Sequence, residues 1–525
     1  MKMTLQPEKW GFLTEIWKMP RSQFFIAVGL AILIKSVSLY FNYGTGFNSD
    51  GLKYISGAML MADGQLKDGL LLVHFPVYSL LIAVVSLTGA NWELSGRLVS
   101  LFAVCGAIIP LYLMTRDFFS KTAAFWAVLF FSVIPETNLW GVDVLRGPTF
   151  LLFFAWSVYF LFKIRKNPSS LLFAALFSAI CLSVFTRIEG LLLVLLVLLI
   201  FIDRFYFDKK MRYEYLRGIL IGFMLPLVVV LTTALLGGSV TGQLIVTELL
   251  DRLGAFFQTG LLHNFWIIYD LLKTMEDASP FPGGNFNFAE IARHIIPVIY
   301  VVGILEALVI VLFPTTVILL VWGMKQRPWN PELKILLVFA VTYLFMIGFH
   351  LLQKDFLQKR FLIPAVFLLI PWAGIGMDKM IAAVRQRPKT GWLVFPLTLF
   401  FIAVPLQKTI GAMNKKEDIQ YVAGTWMGCL PNIEKTTIIT NDKLILYYAG
   451  LDYYQGKNRQ YVYYRPGKKH QSKLGIDRVV KQRDMDMVVI RVKLKYRKRI
   501  PALEGYRKLK DFTGSRHYVA VYGLP

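Results

Sequence analysis

The feature that most limits what this chain can become is its succession of apolar runs, many of them near the length a helix needs to cross a bilayer. A hydrocarbon core of about 30 Å takes roughly 20 apolar residues in a helix. Phe24 to Tyr40, Leu191 to Ile202 and Leu393 to Val404 show the type, and short polar breaks separate one run from the next. Of 525 residues, 56% are hydrophobic and only 17% charged, more apolar surface than a soluble domain of this size buries, so lipid must act as the solvent. The first run follows Lys18 and Arg21 and leads into Tyr40-Phe41-Asn42-Tyr43, not a small-residue cleavage pattern. An uncleaved first helix is expected.

The formal charge of +24 raises the question of nucleic acid. The basic residues lie mostly in loops beside apolar runs and in the tail, without a nucleic-acid motif, so topology and anionic lipid explain them better. Nucleic acid is not an expected partner. Cys105 and Cys181 sit inside apolar runs and Cys429 stands alone in the tail, which indicates neither a disulfide framework nor a zinc site.

Short basic loops stay on the cytoplasmic side. Five breaks qualify: Arg116 with Lys121, Lys163 to Lys166, Arg204 to Arg217, Lys325 with Arg327 and Lys334, and Lys379 to Lys389. The alternate breaks then face outward: Phe41 to Asn91, Pro135 to Pro148, the neighbourhood of Arg187, Gly237 to His294, and Gln353 to Arg360. The result is about eleven transmembrane helices, with the N-terminus cytoplasmic and the C-terminus outside. The apolar but short segment Phe75 to Ala90 would invert every later loop if it spanned, so it is laid along the outer interface. From about Lys415 charged residues return, and the β-rich runs Thr436 to Thr440, Met487 to Val492 and His517 to Tyr522 alternate with helical stretches. A small α/β domain is expected there. Its basic cluster, Lys493 to Arg499, reads as a solvated face or as a contact for lipid phosphate or an anionic glycan.

Ionisable residues at membrane depth cost several kcal/mol and so mark functional candidates. The outer breaks hold Asp50 with Lys53 and Tyr54, Asp143 with Arg146, Arg187 with Glu189, and Arg360. Each has an ordinary alternative. Asp50 suits a helix cap, Asp143 and Arg146 a local ion pair, Arg187 and Glu189 a structural pair, and Arg360 a headgroup anchor. Their coincidence on one face carries the argument. Arginine grips phosphate through a planar fork of donors, and a carboxylate takes a proton from an attacking hydroxyl.

At these residues the sequence resembles the GT-C superfamily of membrane glycosyltransferases, especially the branch of dolichyl-phosphate-mannose protein mannosyltransferases and bacterial aminoarabinose transferases of lipid A. The likeness runs through Asp50 and Tyr54, Val73-His74-Phe75-Pro76-Val77-Tyr78, Gly96-Arg97-Leu98-Val99-Ser100, Asp143, Arg187-Ile188-Glu189-Gly190, Arg360-Phe361-Leu362-Ile363-Pro364 and the final Val-Ala-Val-Tyr strand. It implies a GT-C-like transmembrane domain over residues 1–407, with outer loops 41–91 and 237–294, and an extracytoplasmic α/β domain over 408–525. It also implies transfer of a sugar from a polyprenyl-phosphate donor to a lipid, glycan or protein acceptor at the outer face of a plasma or inner membrane.

In that likeness Asp50 matches the catalytic carboxylate and Asp143 the second-loop acid, while Arg187, Arg360 and His74 would contact the donor phosphate. Lys53, Tyr54, Arg146 and Glu189 are further candidate substrate contacts. No cofactor is implied. Ser49 stands where many relatives pair a second acid with the first, which leaves dependence on a divalent metal open, and His263 and His294 lack a ligand-spaced partner cluster. Two other readings fit outer-face cations: a transporter or flippase of a lipid-linked anion, and a ligase or phosphotransferase acting on polyprenyl diphosphate. Paired repeats with broken helices, common in transporters, are not evident in the sequence.

Overall fold

The computed structural model describes residues 20–207, 212–213, 215–224, 254, 262–278, 288–326, 329, 331–386, 390–413, 419–451, 461–463, 485–500 and 503–525. Its contacts divide the chain into two units, Met1–Leu39 with Gly57–Ala412, and Tyr40–Ser56 with Met413–Pro525.

The first unit is helical. Among the described residues, seven helices are long and apolar enough to cross a membrane: Ser22–Asn42, Trp92–Phe118, Gly147–Lys166, Phe288–Leu312, Pro331–Lys354, Lys359–Arg385 and Gly391–Gly411. An eighth is formed if Lys121–Val133 and Pro135–Gly141 make one span bent by 67°. Shorter apolar helices cover Val77–Ser86, Ser170–Val184, Ile188–Ile202 and Tyr215–Met224. The expected span between Arg217 and Gly237 runs from the last of these into residues outside the described ones, where Pro280 to Gly284 of the fourth outer loop also lie. Among the described residues of that loop, His263–Asp277 is a helix and Phe288 begins another. The segment expected along the interface folds as the ten-residue helix Val77–Ser86, burying Tyr78, Ser79 and Ile82 and exposing Leu80 and Val84.

The core is built around helix Ile363–Arg385, buried without interruption from Ile363 to Met377. Lipid tails are as apolar as leucine, so close packing, not hydrophobicity, must hold this helix to its neighbours. Glycine permits the closest approach. A Cβ on Gly323 would lie 1.9 Å from the carbonyl oxygen of Trp372, and one on Gly376 would lie 1.9 Å from that of Leu319. On another face Phe131 meets Phe367 edge-on, with ring centroids 6.0 Å apart.

Beside it, helix Lys121–Val133 ends where Ile134 turns extended ahead of Pro135. Proline lacks an amide and disfavours helical backbone in the residue before it, so the carbonyls behind the break need other donors. Side chains provide them. Thr137 donates to the Phe131 carbonyl (2.7 Å), Asn138 to that of Ser132 (2.7 Å), and Thr409 of helix Val394–Met413 to that of Val133 (2.8 Å). Lys35, fully buried in the first span, donates through Nζ to Thr137 Oγ1 (3.0 Å) and Asn138 Oδ1 (2.7 Å).

At one end of helix Gly147–Lys166 the chain segments carrying the basic breaks meet: Lys163 pairs with Asp117 (2.7 Å), Arg165 with Glu332 (3.6 Å), and Ser120 donates to Asp378 (3.1 Å). Arg146, Arg187 and Phe150 belong to the other end, roughly 30 Å away for a 20-residue helix.

In the second unit five strands, β1 (Ile438–Thr440), β2 (Tyr461–Tyr463), β3 (Met487–Lys493), β4 (Arg507–Thr513) and β5 (His517–Gly523), make a sheet in the order β2-β1-β3-β5-β4. β1 runs parallel to β2 and β3, while β5 is antiparallel to β3 and β4. Ile438, Val489, Val519 and Val521 share a core with Ala423 of helix Ile419–Gly428 and Ile445 of helix Lys443–Tyr448. Ile439, Val488 and Ile490 pack on the opposite face with Met485 and Leu503, so the central strands are rich in Ile and Val on both sides. Asp486, just before β3, accepts the Thr437 amide (2.7 Å) and hydroxyl (2.8 Å). Those donors hold its carboxyl below the ordinary range.

Two outcomes follow from these contacts. Lys35→Met removes a donor from the buried Asn138 oxygen, a loss worth about 1–3 kcal/mol, and should lower the thermal midpoint of the detergent-solubilised protein; an unchanged midpoint would contradict a stabilising role for the Lys35 bonds to Thr137 and Asn138. At Asp486 the lowered pKa means that the stabilisation is present above the unfolded carboxyl value, about 3.9, and disappears as pH falls through the folded one. Amide exchange at Thr437 should therefore be faster in Asp486→Asn than in the natural chain at pH 6, the difference vanishing in strong acid. A difference independent of pH would show that the carboxylate's charge plays no part.

Candidate functional site

The loop after the broken helix is held from beneath. Arg97 of helix Trp92–Phe118 pairs with Glu93 (2.8 Å) and donates through Nη1 to the Val142 carbonyl (3.0 Å), and its side chain is 2% exposed. Ser100 donates to the Leu145 carbonyl (3.2 Å) and meets the hydroxyl of Tyr78 (3.0 Å), which in turn reaches the Gly96 carbonyl. Gly96 lets this loop come close, because a Cβ there would stand 2.8 Å from the Val144 side chain. Thus Gly96, Arg97 and Ser100 and the segment around Tyr78 act as a platform. Within 141–147 only Asp143 and Arg146 retain exposure. Asp143 Oδ1 accepts the Val144 amide (2.8 Å), which fixes the carboxylate against the turn. Arg146 lies over the ring of Phe75 at 5.2 Å. His74 precedes that ring and is half-buried between Val73 and Phe75, which are covered.

Arg187 follows helix Ser170–Val184, and its amide donates back to the Ser183 carbonyl (2.8 Å). Its guanidinium pairs with Glu189 and lies 5.7 Å from the ring centroid of Phe150 and 5.2 Å from that of Phe361. Arg146 lies within electrostatic reach of Glu189, so the second and third outer breaks converge. Arg360 belongs to the single turn Lys359–Leu362 that opens the central helix, and its guanidinium lies 5.7 Å from the Phe361 ring. The structure thereby brings Arg146, Arg187, Glu189 and the turn bearing Arg360 to one end of the first unit, with the loop of His74 reached through Phe75. Arginine over aromatic faces keeps its fork of donors oriented while part of its hydration is lost.

Two residues that sequence reasoning passed over join this group. Tyr343 donates to the Phe361 carbonyl (3.1 Å), and His350 packs edge-on against the Phe361 ring at 5.5 Å. Both come from helix Pro331–Lys354 and feel the charges of Arg187 and Glu189. A histidine inside an apolar run is the same signal that singled out Arg187.

Asp50, Lys53 and Tyr54 lie on helix Ser49–Ala62, with Asp50 and Lys53 exposed and Tyr54 half-buried. All three belong to the second unit. The cap at this helix start is made by Asn48, whose side chain accepts the Asp50 amide (3.0 Å). Asp50 is then an acid in the first helical turn rather than its cap. Among the described residues, no group of three or more His, Cys, Asp or Glu side chains is placed to hold a metal ion. His294 bonds the Glu290 carbonyl of its own helix (2.9 Å), and His263 opens helix His263–Asp277.

The fold is GT-C-like, as the resemblance of the motifs led us to expect. Residues 73–231 match the family model of dolichyl-phosphate-mannose-protein mannosyltransferases. Among solved structures, the chain is similar to the apo oligosaccharyltransferase of Archaeoglobus fulgidus at 13% identity and a TM-score of 0.56, over 90% of this chain and 70% of that one. It is also similar to apo ArnT from Cupriavidus metallidurans at 12% identity and a TM-score of 0.54, over 95% of this chain and 97% of that one. ArnT bound to undecaprenyl phosphate matches at 12% identity and a TM-score of 0.52, with the same shares covered. No curated protein sequence matches the chain.

Removing half of the buried pair beneath the loop leaves the other charge stranded, which costs about 3–5 kcal/mol, whereas replacing both halves by apolar groups is often nearly neutral. Arg97→Met should therefore depress the thermal midpoint strongly and the Arg97→Met, Glu93→Met double variant much less. Equal losses would mean that the Val142 contact, not the ion pair, dominates.

Proposed function

We propose that this protein is a glycosyltransferase that moves a sugar from a polyprenyl-phosphate donor to an acceptor hydroxyl at the extracytoplasmic face of a plasma or inner membrane. The observation that carries the reading is the gathering of Arg146, Arg187 and the Arg360 turn at one end of the apolar helices. A lipid-linked phosphate is the ligand whose charge needs such donors and whose tail needs the adjoining lipid. ArnT, similar in fold, has been solved with undecaprenyl phosphate bound.

In this mechanism Asp50 accepts the proton of the acceptor hydroxyl as its oxygen bonds to the anomeric carbon. The bond from that carbon to the phosphate oxygen breaks with its electron pair, and polyprenyl phosphate leaves. One displacement inverts the anomeric centre. Arg187 and Arg360, with His74, stabilise the charge that grows on the leaving oxygen, each well-placed donor contributing about 3 kcal/mol. Glu189 holds the Arg187 guanidinium in place, and Asp143 orients the acceptor, with Lys53, Tyr54 and Arg146 as further substrate contacts. The N-terminus lies in the cytoplasm and the domain after residue 408 outside. Lipid, glycan and protein acceptors can all present the required hydroxyl, and the donor sugar is a hexose or pentose.

Membranes holding the protein, given radiolabelled polyprenyl-phosphate sugar and a panel of acceptors, test this directly. Asp50→Asn should slow transfer by about 10²–10⁴-fold, the range for a general base, while donor binding persists. Arg187→Ala should weaken both binding and rate. Full transfer by Asp50→Asn would remove the base, and label that crosses the bilayer without reaching any acceptor would replace the transferase reading with transport.

A further inference from the structure

We infer that the C-terminal unit sets the position of Asp50 by gripping Phe47, which makes Phe47 a positioning residue; the inference rests on the reading of Asp50 as the base. The segment that carries Asp50, Tyr40–Ser56, is grouped by its contacts with Met413–Pro525. The reason is local. Phe47 lies in the loop between helices Pro20–Asn42 and Ser49–Ala62, yet it is only 5% exposed. Its ring meets Tyr447 edge-on at 5.3 Å and 83°, and Tyr448 at 5.8 Å and 64°. Edge-to-face contacts of this kind fix ring orientation as well as burying area.

The socket is rigid on its own side. Tyr447 and Tyr448 end helix Lys443–Tyr448. Its start is capped by Asp442, which accepts the Leu444 amide (3.1 Å) and is bound by Arg491 of β3 (2.6 Å). Tyr448 also packs edge-on against Tyr421 at 5.0 Å. A Cβ on Gly424 would stand 2.5 Å from that of Tyr448, so the two helices touch backbone to side chain. The socket is therefore tied to the sheet rather than to its own loop.

From the ring to the acid the chain has little slack. Asn48 follows Phe47 directly, and its side chain accepts the Asp50 amide (3.0 Å) while its carbonyl accepts the Gly51 amide (2.8 Å). The helical turn bearing Asp50 thus starts at the residue attached to the clamped one. A displacement of about 1 Å at a reacting group costs on the order of 100-fold in rate, so releasing Phe47 should be felt at Asp50. The donor-phosphate residues Arg187 and Arg360 belong to the other unit. Releasing Phe47 should therefore slow turnover and spare donor binding.

The test uses the full chain in lipid nanodiscs, with Phe47→Ala and the milder Phe47→Leu. Phe47→Ala should lower kcat at least about tenfold while donor KM stays within about twofold, and amide exchange at Asn48 to Gly51 should rise while β3 and β5 keep their protection. Phe47→Leu, which keeps apolar volume in the socket but loses the edge-to-face contacts, should show a smaller loss of the same kind, about threefold in kcat with raised exchange at Asn48 to Gly51; it carries the test alone if Phe47→Ala does not accumulate. Unchanged exchange at Asn48 to Gly51 overturns the clamp. Raised exchange with unchanged kcat, or a loss confined to donor KM, overturns the positioning role. Asp50→Asn in the same assay separates the two ideas, since full activity there removes the base whereas the exchange data still report whether Phe47 is gripped.

Discussion

A backbone carbonyl freed inside a bilayer has no water to turn to, and the break between Val133 and Pro135 is where this protein must meet that demand with side chains. Thr137, Asn138 and Thr409 satisfy the exposed oxygens, and Lys35 bonds two of these residues in turn. Much of the candidate site follows from this one repair. The bend redirects the chain into helix Pro135–Gly141, which delivers Asp143 and Arg146 and packs against the turn that holds Arg360. Without the break a straight helix would continue in place of the loop. The first span and the helix Val394–Met413 both contribute to the repair, so segments far apart in sequence share in setting the position of the loop.

The charged residues at this end follow a second rule. Three of the described arginines each have named partners. Arg97 has Glu93 and a loop carbonyl, Arg187 has Glu189 and two aromatic faces, and Arg146 has the ring of Phe75. Aromatic faces and a carboxylate both stabilise a guanidinium that has lost part of its hydration.

Hydropathy made the helical architecture legible, because lipid exposure writes long apolar runs that no soluble fold needs. β1, β3 and β5 were legible for the same kind of reason: buried strands are rich in Ile and Val. β4 was not, since Arg507-Lys508-Leu509-Lys510 reads as a charged loop; lysine on an edge strand keeps other chains from pairing with it. β2 spans only three residues and leaves almost no pattern. In the site, Arg187 and Glu189 stood out as charges between apolar runs, and the structure pairs them. Lys35 and His350 carried that signal too, but each is a single ionisable residue inside a long run, with no neighbour to draw attention to it. The contact of Phe47 with Tyr447 joins residues 400 positions apart through ordinary aromatic side chains, and nothing local in the sequence announces it.

The central claim of the proposed function is that Arg187 and Arg360 hold a donor phosphate and that Asp50 takes the proton of the acceptor hydroxyl. An experimental structure in a lipid nanodisc with a polyprenyl-phosphate sugar analogue and an acceptor bound tests both parts at once. The account predicts phosphate oxygens on the guanidinium groups of Arg187 and Arg360, and the Asp50 carboxylate within about 6 Å of the acceptor oxygen, the reach of one bridging water. A phosphate held elsewhere, or an Asp50 beyond that reach with both ligands in place, would contradict it.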